Sequence, residues 1–117
     1  MSESQIITNE KLPNIHLPNI HPGEILKEDF LDEMNVSAYH LAKEINVPET
    51  RISEIIHGKR SITADTAIRF SKFFGTTAEF WLNLQNLYDL EEETNNHSLE
   101  FETIIPINID DHKLIYG

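Results

Sequence analysis

The sequence of 117 residues contains no cysteine, which excludes a disulfide framework, thiolate metal ligation and a cysteine nucleophile together, and agrees with a reducing compartment. No apolar run approaches the roughly 20 residues needed to span a bilayer. The first residues, MSESQIITNEKLPN, lack the basic start and apolar stretch of a secretory signal, so cytoplasmic residence without a membrane partner is the expectation. Basic residues are scarce: nine Lys and Arg stand against 20 Asp and Glu, a net charge of −11. There is no HExxH helix, no phosphate-cradling GxxxxGK loop and no GxSxG elbow, and the histidines at 16, 21, 40, 57, 97 and 112 follow no recurrent ligand spacing. Neither enzymatic nor metal nor cofactor chemistry is expected.

What is present is the composition of an ordinary soluble protein, 39% hydrophobic and 25% charged, long enough for one core with extensions. The acidic total argues against a nucleic-acid partner, because phosphate contacts demand a basic surface. Its distribution weakens that objection. Residues 91–117 carry seven acidic residues and one basic one, over half of the excess. Residues 48–72 carry five basic residues (Arg51, Lys59, Arg60, Arg69, Lys72) against three acidic ones (Glu49, Glu54, Asp65). A basic island in an acidic chain implies modest, salt-sensitive affinity for a polyanion.

Three segments are expected. Residues 1–21 contain the direct repeat Leu12-Pro-Asn-Ile-His16, Leu17-Pro-Asn-Ile-His21, whose prolines exclude a helix interior and suggest an extended arm. The spacing of His16 and His21 in such an arm fixes no coordination geometry. Residues 22–91 show helical spacing punctuated by small polar residues, Gly and Pro, and read as five helices. The first covers about Pro22 to Glu33, the second starts after the N-cap Ser37, and the third covers about Pro48 to His57 before Gly58. The fourth covers about Thr63 to Phe74 before Gly75, and the fifth starts after Thr76 or Thr77 and carries Phe80, Trp81, Leu84, Leu87 and Tyr88. The polar run EEETNNHS then breaks the pattern. In residues 92–117, an acidic extension, Leu99, Phe101, Thr103, Ile105, Ile107 and Ile109 alternate with mostly polar partners at strand spacing, and Pro106 confines such a strand to an edge or a bulge. The fold class is therefore all-α, a five-helix domain with an extended N-terminal arm and a short strand-like C-terminal tail.

The second and third helices are joined only by Asn46-Val47, so they must cross steeply, as in a helix-turn-helix. Ala42 is small enough to let the third helix approach, and Asn46 tolerates the left-handed conformation this turn needs. With Ile52, Ile55 and Ile56 inward, the third helix presents Glu49, Thr50, Arg51, Ser53 and Glu54, mostly in the half that enters a major groove. Arg51 suits guanine, Thr50 and Ser53 suit bases or phosphates, and Glu54 suits cytosine. Lys59 and Arg60, with His57 beside them, and the start of the second helix at Ser37, Tyr39 and His40 are placed for backbone phosphates. Charged helix faces are usually just solvated. Here the polarity clusters on the second member of a tight helix pair, inside the one positive stretch. Of Phe80, Trp81, Leu84, Leu87 and Tyr88, most are expected in the core and some in a twofold dimer seam. The alternating tail is open to three roles: packing on its own domain, strand exchange in a dimer, or pairing with a partner's sheet edge.

From His21 to Glu91 the sequence resembles the HigA-type antitoxins, a branch of the Cro-like, xenobiotic-response-element helix-turn-helix regulators. The resemblance is carried in order by His21-Pro-Gly-Glu24, Gly58-Lys-Arg60, Thr63-Ala-Asp-Thr66 and Glu79-Phe-Trp-Leu-Asn-Leu-Gln85. It implies a Cro/lambda-repressor-like domain that forms a homodimer, binds a palindromic double-stranded operator, represses its own operon and neutralises a toxin ribonuclease that cleaves messenger RNA. By position it makes Thr50, Arg51, Ser53 and Glu54 recognition-helix residues and Lys59 and Arg60 backbone contacts. Two alternatives stay open: a regulator of the same kind without a toxin, and an interaction module whose acidic tail masks a basic partner.

Overall fold

A computed structural model describes residues 19–108. The first LPNIH copy and residues 109–117 of the strand-like tail lie outside the described residues. Among the described residues, five helices build the domain. Helix α1 covers residues 22–34 and runs Pro22–Ile25, a π-helical stretch Leu26–Leu31, then Asp32–Met34; α2 is Ala38–Ile45, α3 Glu49–Ile56, α4 Ala64–Phe74 and α5 Ala78–Glu102. The wider π turns are closed by hydrogen bonds spanning five residues, such as Asp32 N–H donating to the Lys27 carbonyl.

Three helix starts are capped by a side chain of their own N-cap residue. The Ser37 hydroxyl accepts from His40 N at 3.0 Å, Thr63 Oγ1 from Thr66 N at 3.4 Å, and Thr77 Oγ1 from Phe80 N at 3.0 Å. Thr77 is therefore the cap of α5, whereas Thr76 Oγ1 accepts from Trp81 Nε1 at 2.8 Å and satisfies the indole instead. The helix ends use left-handed residues at Asn35, Asn46, Gly58 and Gly75, with φ of 57°, 60°, 75° and 78°. At the α2–α3 turn, Val47 N donates to Ala42 O at 3.0 Å, which turns the chain sharply into α3.

The core is formed by Leu26, Leu31, Leu41, Ala42, Ile45, Ile52, Ile55, Ile62, Ala67, Phe70 and Trp81. Trp81 is its largest member and is fully buried, with the rings of Phe30 at 4.8 Å and Phe70 at 5.0 Å between centroids. One buried polar side chain ties the last helix to the loop before α4: Gln85 Oε1 accepts from Ile62 N at 2.8 Å and its Nε2 donates to Asp89 Oδ1 at 2.9 Å. Without it the buried Ile62 N–H would have no partner.

The structure corrects the reading of the C-terminal part. EEETNNHS does not end the helical region but kinks it: α5 is two helical runs joined at His97, whose φ of −133° and ψ of 25° are non-helical, and Leu99–Glu102 lies in the second run. Spacings of i, i+4 support the first run, with His97 Nδ1 2.9 Å from Glu93 Oε1 and Asn95 Nδ2 donating to Glu91 Oε2 at 3.4 Å. Residues 104–108 follow in irregular, exposed conformation, and no strand occurs among the described residues. Alternation alone cannot make a strand, because a strand needs a neighbour to pair with, and Pro106 removes one donor from the ladder.

Candidate nucleic-acid interface

The geometry of α3 follows from how the chain holds its buried side. Ile52 and Ile55 are fully buried, so the opposite side of the helix must face solvent. The N-terminal end of α1 fixes this arrangement from below: a Cβ added to Gly23 would stand 1.8 Å from the Ile55 carbonyl oxygen and 3.0 Å from Ile56 Cα, so only glycine permits the approach. Beside it His21 caps α1, its Nδ1 accepting from Gly23 N at 2.9 Å, and its ring meets Tyr88 edge-on at 4.8 Å. His21 is buried rather than part of a free arm, and burial holds its pKa below the usual value despite the opposing pull of Asp89 and Glu24. Asn19 extends the contact, donating to Tyr88 O at 2.9 Å and to Glu92 Oε2 at 3.1 Å. Of the His16 and His21 pair, His16 lies outside the described residues. Among the described residues no group of three or more His, Cys, Asp or Glu assembles to hold a metal ion.

The residues expected at this surface are spread over the start of α2, α3 and the loop that follows it. Ser37, Tyr39 and His40 at the start of α2, Glu49, Thr50 and Ser53 on α3, and His57, Lys59 and Arg60 just beyond are exposed, while Arg51 and Glu54 are partly covered. Their partners were not foreseen. Arg60 Nε donates to Glu54 Oε1 at 2.8 Å, so two of the expected contact residues pair with each other. His57 Nδ1 lies 2.7 Å from Ser53 O. Arg51 Nη1 donates to Asp65 Oδ2 at 2.8 Å and lies 3.5 Å from Thr66 Oγ1. Asp65 also accepts from Arg69 Nε at 3.2 and 3.0 Å, and Arg69 Nη1 donates to Ile45 O at 2.7 Å. The Arg69 and Arg51 guanidiniums hold the Asp65 carboxyl below the usual carboxylate range. Asp65, Arg69, Gln85, His21 and Gly23 were thus missed as organisers of this region. The i, i+4 spacing of Asp65 and Arg69 and the two-residue reach of the His21 cap are local, whereas the partners Arg51, Ile45, Ile62 and Ile55 are distant in sequence.

The expected dimer set divides. Trp81 is corrected: it is fully buried in the core and has no surface to offer a second copy. Leu84 is half-buried against that core and Tyr88 is half-buried against His21. Phe80 is at the edge of the aromatic cluster, 37% exposed, whereas Leu87 and Leu90 on α5 are both 66% exposed. No helix among the described residues is long and apolar enough to cross a membrane.

Comparison with known proteins agrees with this geometry. The helix-turn-helix family profile matches residues 26–81, which contain α2 and α3. Virulence-associated protein I of Dichelobacter nodosus is 47% identical over 101 residues, covering 86% of this chain and 87% of that one. Antitoxin HigA-1 of Vibrio cholerae is 35% identical over 85 residues, 73% of this chain and 80% of that one. The solved structure of the Pseudomonas aeruginosa antitoxin HigA with the higBA promoter superposes with a TM-score of 0.73 at 38% identity, covering 76% of this chain and 97% of the other.

Proposed function

Since this chain belongs to the Cro-like helix-turn-helix family of the HigA-type antitoxins, we propose that it is a sequence-specific DNA-binding repressor that autoregulates its operon and acts as the antitoxin of a type II toxin-antitoxin pair. The observation that carries this reading is α3: its apolar side is locked into the core by Ile52 and Ile55, and its opposite side turns Glu49, Thr50 and Ser53 to solvent.

In this mechanism α3 enters the major groove. Arg51 donates to a guanine, Thr50 and Ser53 reach base edges or nearby phosphates, and Glu54 accepts from a cytosine amino group. Lys59, Arg60 and His57, with Ser37, Tyr39 and His40 at the positive end of α2, bind the phosphate backbone and set the register. The Arg60–Glu54 pair opens or shifts when Arg60 meets a phosphate. Because the net charge is −11, one such surface binds weakly, and specificity requires a homodimer with two recognition helices on palindromic half-sites about 34 Å apart. Leu87, Leu90 and the rim of Phe80 form the exposed apolar part of that dimer seam.

Action on an operator implies residence in the cytoplasm. The toxin it neutralises is a ribonuclease with a basic, RNA-binding surface, to which the acidic segment after residue 91 is complementary. Exposed Leu99, Ile104 and Ile105 beside Glu100 and Glu102 favour a related second reading, in which this segment serves partner binding independently of DNA. A gel shift on the DNA upstream of its own gene tests the main reading: a discrete complex that outlasts competitor DNA is expected, and no complex at low salt rejects it.

A further inference from the structure

We propose that Asp65, on α4 and outside the helix pair, is a positioning residue that sets the base specificity of Arg51 by holding its guanidinium in one orientation at the groove; this rests on the DNA-reading role given to α3 above.

Three features of the network support it. First, the contact is specific in geometry: Arg51 Nη1 reaches Asp65 Oδ2 at 2.8 Å, from a side chain only 27% exposed. Second, the acceptor is itself braced. Both carboxylate oxygens of Asp65 receive Arg69 Nε, and Arg69 Nη1 is anchored on the Ile45 carbonyl at the end of α2. A continuous chain of charged hydrogen bonds therefore joins the end of α2, the first turn of α4 and the first turn of α3. Third, Asp65 is 54% exposed, where an ion pair adds little to stability. The arrangement is better explained by what it does to Arg51.

An arginine presents five N–H donors; Asp65 takes one from Nη1, whose other faces Thr66 Oγ1. The Nη2 and Nε donors remain for a bidentate pair on guanine O6 and N7. With the orientation fixed beforehand, less side-chain freedom is lost on binding the correct base, and the guanidinium is poorly placed to follow a wrong one. Two arginines share one carboxylate, so the local charge stays positive. The same carboxylate repels phosphates and weakens indiscriminate binding. Its removal should therefore have opposite effects on the two kinds of binding, which a merely structural role would not produce.

The test begins with selection of duplexes from a randomised library by the full chain, followed by fluorescence titration of the enriched duplex and a shuffled one. Variants are Asp65→Asn, Asp65→Glu, Arg51→Ala and the Arg51→Ala/Asp65→Asn pair. Asp65→Asn should bind the shuffled duplex at least as tightly as the parent, yet lose roughly 5- to 150-fold of its preference at the one base pair read by Arg51. Asp65→Glu, which keeps the charge but displaces it by one methylene, should lose preference at the same base pair, and it carries the test if Asp65→Asn fails to fold. In the Arg51→Ala background, Asp65→Asn should leave the motif unchanged. An Asp65→Asn motif identical to the parent's, or one altered equally with and without Arg51, overturns the proposal. Failure of the parent to enrich any motif removes the DNA-reading role of α3 itself, whereas a motif indifferent to Asp65 removes only this inference.

Discussion

Gly23 lies so close to Ile55 that a Cβ on the glycine would stand 1.8 Å from the isoleucine carbonyl oxygen. This contact between the first turn of α1 and the last turn of α3 sets the height at which the recognition helix sits on the core. Gly23→Ala must separate the two backbones, and overpacking of this kind costs about 1–3 kcal/mol. Thermal unfolding should show the loss, and DNA affinity should fall further than the unfolded fraction accounts for, because α3 is displaced even in the folded molecules.

Gln85 supplies the buried acceptor for Ile62 N–H. Gln85→Leu keeps the volume but leaves that donor unpaired, which should lower stability by about 1–3 kcal/mol in urea unfolding. An unchanged midpoint would mean that the loop before α4 finds another partner.

Trp81 and Leu87 occupy the same helix yet should behave oppositely. Trp81→Ala opens a cavity in the core and should cost about 3–5 kcal/mol of stability. Leu87→Glu removes an exposed apolar contact and should shift sedimentation equilibrium toward monomer while the helical circular dichroism is retained. Loss of the fold by Leu87→Glu, or an unaltered assembly, contradicts the proposed seam.

The parts of this organisation that were legible in the sequence are those set by neighbouring residues. Ser37 and Thr63 cap, Asn46 turns left-handed, and Ile52 with Ile55 buries one helix face, each for a reason contained within one or two helical turns. The parts that were not legible depend on distant partners. Arg51 and Asp65 are separated by 14 positions and Gln85 and Ile62 by 23, and no local pattern links them. The tail failed differently. Leu99 and Phe101 satisfy a strand's alternation, but they lie in the short helical run beyond the kink at His97, and an isolated strand there has no neighbour among the described residues to pair with.

The His21 cap makes stability depend on pH. Its Nδ1 must be unprotonated to accept from Gly23 N, and burial beside Tyr88 lowers its pKa in the folded state, with Asp89 and Glu24 pulling the other way. A depressed histidine pKa means the unfolded chain binds the proton more readily. The contribution is therefore complete above the unfolded value of about 6.5 and is lost as pH falls below it toward the folded pKa. Unfolding free energy measured from pH 8 to pH 5 should decline through this window, and His21→Asn, which still caps, should flatten that decline.

Sequence-specific reading of DNA by α3 is tested most directly by titrating the parent, Arg51→Ala and Lys59→Ala against the upstream operator and a shuffled duplex over a range of salt. The parent should prefer the operator; Arg51→Ala should lose about 1–3 kcal/mol of that preference, and Lys59→Ala should weaken both duplexes alike and lower the salt slope by about 1. Equal affinity of the parent for both duplexes, or preference retained in full without Arg51, would contradict it.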